Sequence, residues 1–336
     1  MFFSNKKSIL GVDIGTTNIK IVQITTDGDK HVLDTYGLVN VSFEIDETRE
    51  ETINKTVTVL KNLIEKAGVK TKKVVASLPN SAVFTSVIEM PKLSDQELKS
   101  AIEFEAKKYV PLPISEMTLS WTVVEKSADG KSKILITAVP NTMLRSYIKI
   151  FQLAKLEPIA LEIEALALIR ALIKDNQGTI LLIDVGAKAT HLNIVENGNL
   201  LLTRNIPVGG ETITTKIAES LKISRERAEQ FKKDFGMKQA SLIPETIKPI
   251  LTTIKNETKQ LQSIYQAKAK KIDKIIIVGG TANLPGLNEF FSDLGAQIVN
   301  GDPLSKLTYS QAIKPVLEQY ATNLSVAIGL ALRTNK

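Results

Sequence analysis

Three apolar runs along the chain each end in a turn that carries glycine. Ile9–Val12 leads into Asp13-Ile14-Gly15-Thr16-Thr17 and resumes from Ile19 to Ile24. Ile180–Ile183 leads into Asp184-Val185-Gly186 and resumes through His191 to Val195. Ile275–Val278 runs into Gly279-Gly280-Thr281-Ala282-Asn283. Short runs rich in β-branched residues and bounded by turn residues read as strands. An Asp-x-Gly turn between two strands is common in ordinary hairpins; here the chain makes it twice. Lys20 even stands as far beyond Asp13 as His191 does beyond Asp184.

The pattern around these runs alternates strands with helices. A meander of Ile9–Asp13, Ile19–Thr25 and His31–Asn40 precedes a helical period at Ile53, Val57, Leu60 and Ile64, in a segment from Asp46 to Ala67 that stops at Gly68. Val74–Leu78 reads as a short strand, which completes the β-β-β-α-β order of a ribonuclease-H-like lobe. Residues 80–157 form a second pattern. A strand at Val83–Met90 leads to a capping box at Ser94 and Glu97, with Leu93 and Leu98 placed to staple it. The helix that follows carries Leu98, Ala101, Ile102 and Tyr109 on one face and halts before Pro111. Strands Thr118–Glu125 and Lys133–Val139 are expected to pair across Ala128-Asp129-Gly130, with a helix from Thr142 to Leu156 behind them. Pro158 to Ile173 reads as a buried helix. Beyond the second acidic hairpin come strand Asn199–Ile206, a mostly helical stretch with a loop at Lys238–Pro249, strand Lys274–Val278, helix Leu287–Leu294, strand Gln297–Val299 and helix Ala321–Leu332.

The turns suggest a chemistry. A strand-end carboxylate can hold the hydration shell of Mg²⁺, which keeps several waters and takes few protein ligands. Gly15 lets main chain approach an anion, and the amides and hydroxyls of Thr16 and Thr17 then face phosphate oxygens. Gly279 and Gly280 let a flat base or a ribose approach main chain with no Cβ between. Two acidic hairpins and one Gly-Gly turn therefore suggest two related lobes closing on one nucleotide. Neither G-x-x-x-x-G-K-[ST] nor a helix-opening G-x-G-x-x-G occurs.

In order and spacing the three pieces resemble the phosphate-one, phosphate-two and adenosine motifs of the actin-like ATPase superfamily. The run Pro91-Lys92-Leu93-Ser94 … Glu97-Leu98 … Ala101-Ile102 … Glu105-Ala106 … Tyr109-Val110-Pro111 resembles the PilM family of type IV pilus assembly, relatives of the division protein FtsA. The resemblance covers essentially the whole chain. It implies an α/β, two-lobed actin-like ATPase fold of duplicated ribonuclease-H-like domains with an inserted subdomain. On this reading the first lobe spans 1–79, the β-α-β-β-α insert 80–157, a helix returning to the first lobe 158–178, the second lobe 179–315 with a helical subdomain over 211–270, and a linking helix behind the cleft 316–336.

The resemblance also implies ATP and Mg²⁺ as cofactors, with Asp13 and Asp184 around the metal. Gly15, Thr16, Thr17, Lys20 and Gly186 then face phosphates, and Gly209, Gly210 and Glu211 allow close approach to the nucleotide. Gly279, Gly280 and Asn283 lie under the adenosine. Glu164 resembles the group that actin-like proteins aim at the attacking water; its other reading is a salt-bridged carboxylate. His191 falls where actin has a cleft histidine, and a packed strand histidine is the equal alternative. Glu229 and Lys232 share a helix face and resemble the FtsA segment that clasps sugar and base, or form an intrahelical ion pair. The implied partner is the N-terminal cytoplasmic segment of a PilN-like inner-membrane protein, with other pilus platform proteins besides. The implied place is the cytoplasm, recruited to the inner face of the inner membrane through that partner. With no unambiguous base in sight, hydrolysis is expected to be slow or absent.

Composition narrows the alternatives. A chain of 336 residues exceeds the roughly 100–200 of one domain. Zero cysteines exclude disulfides and thiolate metal sites, and two histidines argue against a histidine-based metal cluster. Ile159–Ile173, the longest apolar candidate, is broken by Glu162, Glu164 and Arg170 and falls short of a membrane span of roughly 18 or more residues. The net charge of +7 is spread among lysines without an aromatic-rich basic stretch, so nucleic acid is not the expected partner. A filament-forming protein like FtsA would carry an amphipathic membrane helix after the linking helix, where this sequence ends at Arg333-Thr334-Asn335-Lys336. A small-molecule kinase of the same superfold would need a catalytic carboxylate in the first lobe, and Val74–Asn80 offers none.

Overall fold

The computed structural model describes residues 6–41, 43, 49–80, 83–91, 93–110, 112–126, 130–174, 178–238, 242–267 and 270–333. Pro111, the Ala128-Asp129 turn and the expected start of the first helix near Asp46 lie outside the described residues.

The first lobe opens on an antiparallel meander of β1 (Lys7–Ile14), β2 (Asn18–Asp27) and β3 (Lys30–Asn40). Helix α1 (Glu50–Ala67) buries Ile53, Val57, Leu60 and Leu63, and β4 (Lys73–Leu78) then pairs parallel with β1. The insert follows as β5 (Phe84–Met90), α2 (Asp95–Ala106), β6 (Met117–Lys126) and β7 (Ser132–Pro140). Its strands pair in the order β5-β7-β6. Ser94 and Glu97 close the expected capping box, and Leu93 and Leu98 pack on a small core of Ile88, Ile102, Ile134 and Ile136. Tyr109 is a correction: α2 ends at Ala106, so the ring falls past the helix and is 50% exposed.

Two elements differ from the sequence reading. Helix α3 (Asn141–Leu153) buries Met143, Tyr147, Ile150 and Phe151 in the core of the first lobe. It is the crossover between parallel strands β4 and β8, because parallel neighbours need such a connection. The expected single helix from Pro158 to Ile173 is instead β8 (Glu157–Ile163) followed by α4 (Glu164–Leu172). The open edge of β4 takes the first half of that apolar run as a parallel strand. Periodicity alone does not separate a buried strand from a buried helix in so short a run.

The second lobe repeats the plan. It comprises β9 (Thr179–Val185), β10 (Thr190–Glu196), β11 (Asn199–Ile206), α5 (Gly210–Leu221), α6 (Arg225–Phe235), α7 (Leu242–Gln266), β12 (Lys274–Val278), α8 (Leu287–Phe290) and β13 (Gln297–Asn300). Sheet order is β3-β2-β1-β4-β8 in the first lobe and β11-β10-β9-β12-β13 in the second, the same arrangement twice. The loop expected up to Pro249 is corrected as well, since α7 runs through that proline. Buried Ile247, Leu251 and Ile254 hold the helix against the local cost of proline.

The chain ends with α9 (Lys314–Tyr320), a 3-10 turn at Ala321–Leu324 and α10 (Ser325–Ala331), where one longer helix was expected. α10 packs on β1 and α4. Gly11 permits this approach, because a Cβ there would stand 2.7 Å from the Ala331 amide nitrogen. Glu162, buried on β8, accepts a two-pronged hydrogen bond from Arg170 on α4 and a third from Arg333 beyond α10. No described helix is long and apolar enough to cross a membrane.

Candidate functional site

The two acidic hairpins close alike. The Gly15 amide donates to Asn18 O at 3.0 Å, and the Gly186 amide donates to Ala189 O at 2.9 Å. Each turn thereby delivers its aspartate at the end of a buried strand. Asp13 is 3% exposed: Oδ1 accepts from the Ser77 hydroxyl at 2.9 Å and Oδ2 from Lys20 Nζ at 2.8 Å. Ser77 was not singled out in the sequence; its place near the end of the strand beside β1 was the available signal. Thr16 lies exposed at the tip of the first hairpin and Thr17 half-buried.

Charge gathers across the cleft between the lobes. Burial pushes Asp184 up to about 6; nearby Lys20 opposes the rise and Asp13 adds to it. Glu164 is raised well above the usual carboxylate range, by burial first and then by Asp13 and Asp184, against Lys20. Lys20 is pulled up: burial disfavours its charge, but Asp13, Glu164 and Asp184 outweigh that. These four groups, from both lobes, thus lie within electrostatic reach of one another. Glu164 is the first residue of α4, directly after β8, and not the mid-helix glutamate that the sequence suggested. His191 points Nε2 to within 3.8 Å of Glu164 Oε2, and burial lowers the imidazole to about 4, so the ring is neutral at pH 7.

The second lobe closes one side of the cleft with backbone. The Gly210 and Glu211 amides at the start of α5 donate to Gly186 O and Ala187 O, locking α5 to the second hairpin. A Cβ on Gly210 would stand 2.5 Å from Thr281 Oγ1, and Gly209 caps the helix from an extended conformation. Gly279 has φ +91°, and a Cβ there would meet Asp184 Oδ1 at 2.5 Å. Asp184 therefore rests on the Gly-Gly turn itself. Gly280 faces Asn323, and Asn283 Nδ2 donates to Thr322 Oγ1 at 3.4 Å. Beside Asn283 opens a cavity of about 310 Å³, bounded also by Asp302, Tyr309 and Glu318.

Glu229 and Lys232 do form the intrahelical pair, at 2.6 Å. Lys232 is 7% exposed and also donates to Gly210 O and Thr214 Oγ1, so it ties α6 to the start of α5. The Glu229 side chain is 37% exposed, and its Oε2 also accepts from the Thr214 hydroxyl at 2.6 Å. Glu211 faces Arg225 at 3.6 Å.

Three acidic groups facing one ammonium suit a hydrated divalent cation. Among the described residues no three His, Cys, Asp or Glu side chains gather as a direct metal cage. The fit is to an ion that keeps its waters, as Mg²⁺ does. The glycines at 209, 210 and 279 let the second hairpin, the start of α5 and the Gly-Gly turn close on one another, where a Cβ would strike Ala187 O, Thr281 Oγ1 or Asp184 Oδ1.

Comparison with known proteins extends over the whole chain. A family model described as type IV pilus assembly protein PilM matches residues 11–335. A solved PilM–PilN type IV pilus biogenesis complex superposes with a TM-score of 0.87 at 23% identity, covering 97% of this chain and 98% of that one. MreB 5 of Spiroplasma citri bound to AMPPNP superposes with a TM-score of 0.56 at 12% identity, over 96% and 94% of the two chains. Cell division protein FtsA of Bacillus subtilis is 24% identical over 345 residues, spanning 87% of this chain and 77% of FtsA. The superpositions establish the two-lobed actin-like fold.

Proposed function

The chain belongs to the PilM family of type IV pilus assembly proteins, and from that premise we propose that it is an actin-like scaffold which binds Mg-ATP between its lobes and docks the N-terminal segment of a PilN-like membrane protein. The observation that carries the nucleotide half is the convergence of Asp13, Lys20, Glu164 and Asp184 on one cleft from both halves of a duplicated fold. Asp13 and Asp184 would hold waters of the Mg²⁺ shell, and the carboxylate oxygens of Asp13 keep lone pairs free beyond those that Ser77 and Lys20 occupy. Lys20, with the amides of Thr16 and Thr17, would face the phosphates, and Gly15 would allow their close approach. Gly209, Gly210, Gly279, Gly280 and Asn283 would line the sugar and base, with the partly exposed Glu229–Lys232 pair beside a ribose hydroxyl.

Glu164 and His191 would bracket the water at the terminal phosphate. With burial lowering the imidazole to about 4, His191 is a weak base at pH 7, which supports slow turnover. Glu164, raised above the usual carboxylate range, is the candidate proton acceptor of the pair. For the partner, a cavity of about 420 Å³ over α1, lined by Phe43, Asn54, Lys55, Thr58 and Val59, offers a mostly apolar bed to an extended segment. A ligand there is sensitive to nucleotide only if it binds the two lobe arrangements differently.

Titration of the purified protein with a fluorescent ATP analogue, with Mg²⁺ and with excess EDTA, tests the first half. Saturable, Mg²⁺-dependent binding supports it, and no binding under either condition overturns it. For the second half, a Val59→Arg variant is expected to lose binding of the partner's N-terminal peptide; undiminished binding would move the dock elsewhere.

A further inference from the structure

Four strands of the first lobe begin at one end of its sheet. β1, β4 and β8 run parallel, with Leu10 opposite Val74 and Lys73 opposite Glu157, and β3 starts beside them after the turn that pairs Asp27 with Lys30. Helices α1 and α3 end there too, because each hands the chain on to one of those strands. Thr71 Oγ1 donates to Ser8 O at 3.0 Å, and the Glu157 amide donates to Lys72 O at 2.8 Å, which ties the end together. Asp13 and the cleft stand at the other end of β1 from Lys7, about 20 Å off at roughly 3.3 Å per residue.

Lysines crowd this end. Lys6 and Lys7 lead into β1, Lys30 opens β3, and Lys72 and Lys73 lead into β4. Lys66 and Lys70 flank the Gly68 cap of α1, and Lys155 follows α3. All eight are exposed, and none makes an ion pair among the described residues. Five carboxylates share the end, Asp27, Asp29, Asp34, Glu65 and Glu157, so it stays cationic. Lys66 and Lys155 sit at helix C-termini, which attract cations by themselves, but Lys6, Lys7, Lys30, Lys72 and Lys73 do not. Apolar groups border the charge. Leu153, the last residue of α3, is 40% exposed. In the sequence, Met1-Phe2-Phe3-Ser4-Asn5, outside the described residues, leads directly into Lys6 and Lys7.

Clustered lysines are drawn to anionic headgroups, and apolar side chains beside them add the second signal that holds a chain on a bilayer. We propose that this end of the first lobe rests on an anionic lipid surface, with its lysines among the headgroups and Phe2 and Phe3 at the acyl boundary. The cleft then faces away from the membrane. The contact needs neither nucleotide nor a protein partner, so it goes beyond the function proposed above and does not depend on it.

Co-sedimentation of the purified full chain with vesicles tests this. The chain is expected to bind vesicles of phosphatidylcholine and phosphatidylglycerol, roughly 3:1, and not phosphatidylcholine alone. Raising salt to about 0.5 M should weaken that binding at least tenfold. Lys70→Glu, Lys72→Glu and Lys73→Glu combined, all at exposed positions, should cost about tenfold or more. Lys222→Glu, Lys238→Glu and Lys248→Glu combined make the same charge change on exposed lysines of the second lobe and should cost less than about twofold. Equal losses from the two sets would reduce the effect to net charge and overturn the proposal. Should the first set fail to fold, Lys6→Glu with Lys7→Glu probes the same face. Phe2→Ser with Phe3→Ser should cost about fivefold, and unchanged binding would overturn the placement of the phenylalanines. No binding of wild type to either vesicle overturns the whole proposal, and binding of a DNA duplex in its place would assign the face to nucleic acid.

Discussion

Lys20 stands directly across the β1–β2 ladder from Asp13, its ammonium nitrogen 2.8 Å from Asp13 Oδ2. In the second lobe His191 occupies the same register position opposite Asp184. The duplication thus preserves placement and divides the chemistry. One hairpin supplies a fixed positive charge beside its carboxylate, and the other a neutral imidazole. The cleft is left with more carboxyl groups than cations, and its pH behaviour follows from that.

Folding strengthens proton binding at Asp184, from 3.8 to about 6, and at Glu164 in the same direction. Their contributions to stability are complete below about pH 4 and are lost as pH rises through the folded-state values. His191 runs the other way. Lowered from 6.5 to about 4, it contributes above pH 6.5 and loses that contribution as pH falls through 4. With two carboxyls against one imidazole, the metal-free protein should lose stability as pH rises from 4 to 6. Asp184→Asn should flatten that slope, and His191→Gln should steepen it. Urea unfolding across the pH range in EDTA checks all three, and parallel curves for the variants would contradict the assignment.

Glu164→Gln is expected to leave nucleotide affinity within about threefold while cutting single-turnover hydrolysis by about a hundredfold, since it keeps the shape and loses the proton-accepting oxygen. Equal losses in both would make Glu164 a binding group only.

Glu162 shows what buried charge does away from the cleft. It is held by Arg170 in two places and by Arg333 in a third. Glu162→Ala leaves Arg170, which keeps only Gly329 O, and Arg333 without their shared carboxylate and should cost about 3 kcal/mol. Arg333→Ala keeps the two-pronged pair and should cost about 1 kcal/mol. Thermal unfolding of the two variants separates these outcomes.

Much of this was legible in the residues. Asp13, Gly15, Asp184, Gly186 and Gly279-Gly280 declared themselves because strand-end carboxylates and glycine turns have few uses, and the chain repeats them. The failures share a cause, which is that tertiary partners decide what local pattern leaves open. Residues Pro158–Ile163 are apolar enough for helix or strand, and only the free edge of β4 selects the strand. Pro249 reads as a breaker until the burial of its neighbours is known. Ser77 carries little signal of its own, since its meaning comes from Asp13 on the neighbouring strand.

Replacing residues 84–140 with a short linker, rather than cutting through α3, keeps the first lobe's crossover helix and its buried Tyr147 and Phe151. That variant should still bind nucleotide and lose at least about tenfold in affinity for the partner's N-terminal peptide, about 1.4 kcal/mol. Undiminished peptide affinity would show that the insert takes no part in docking.

Calorimetric titration of Mg-ATP into the wild-type protein and into Asp13→Asn and Asp184→Asn tests the central claim most directly. Shared custody of one cation by both lobes requires that each substitution weaken binding by about tenfold or more in Mg²⁺, and that the difference from wild type shrink in EDTA. Wild-type affinity in either folded variant would contradict it.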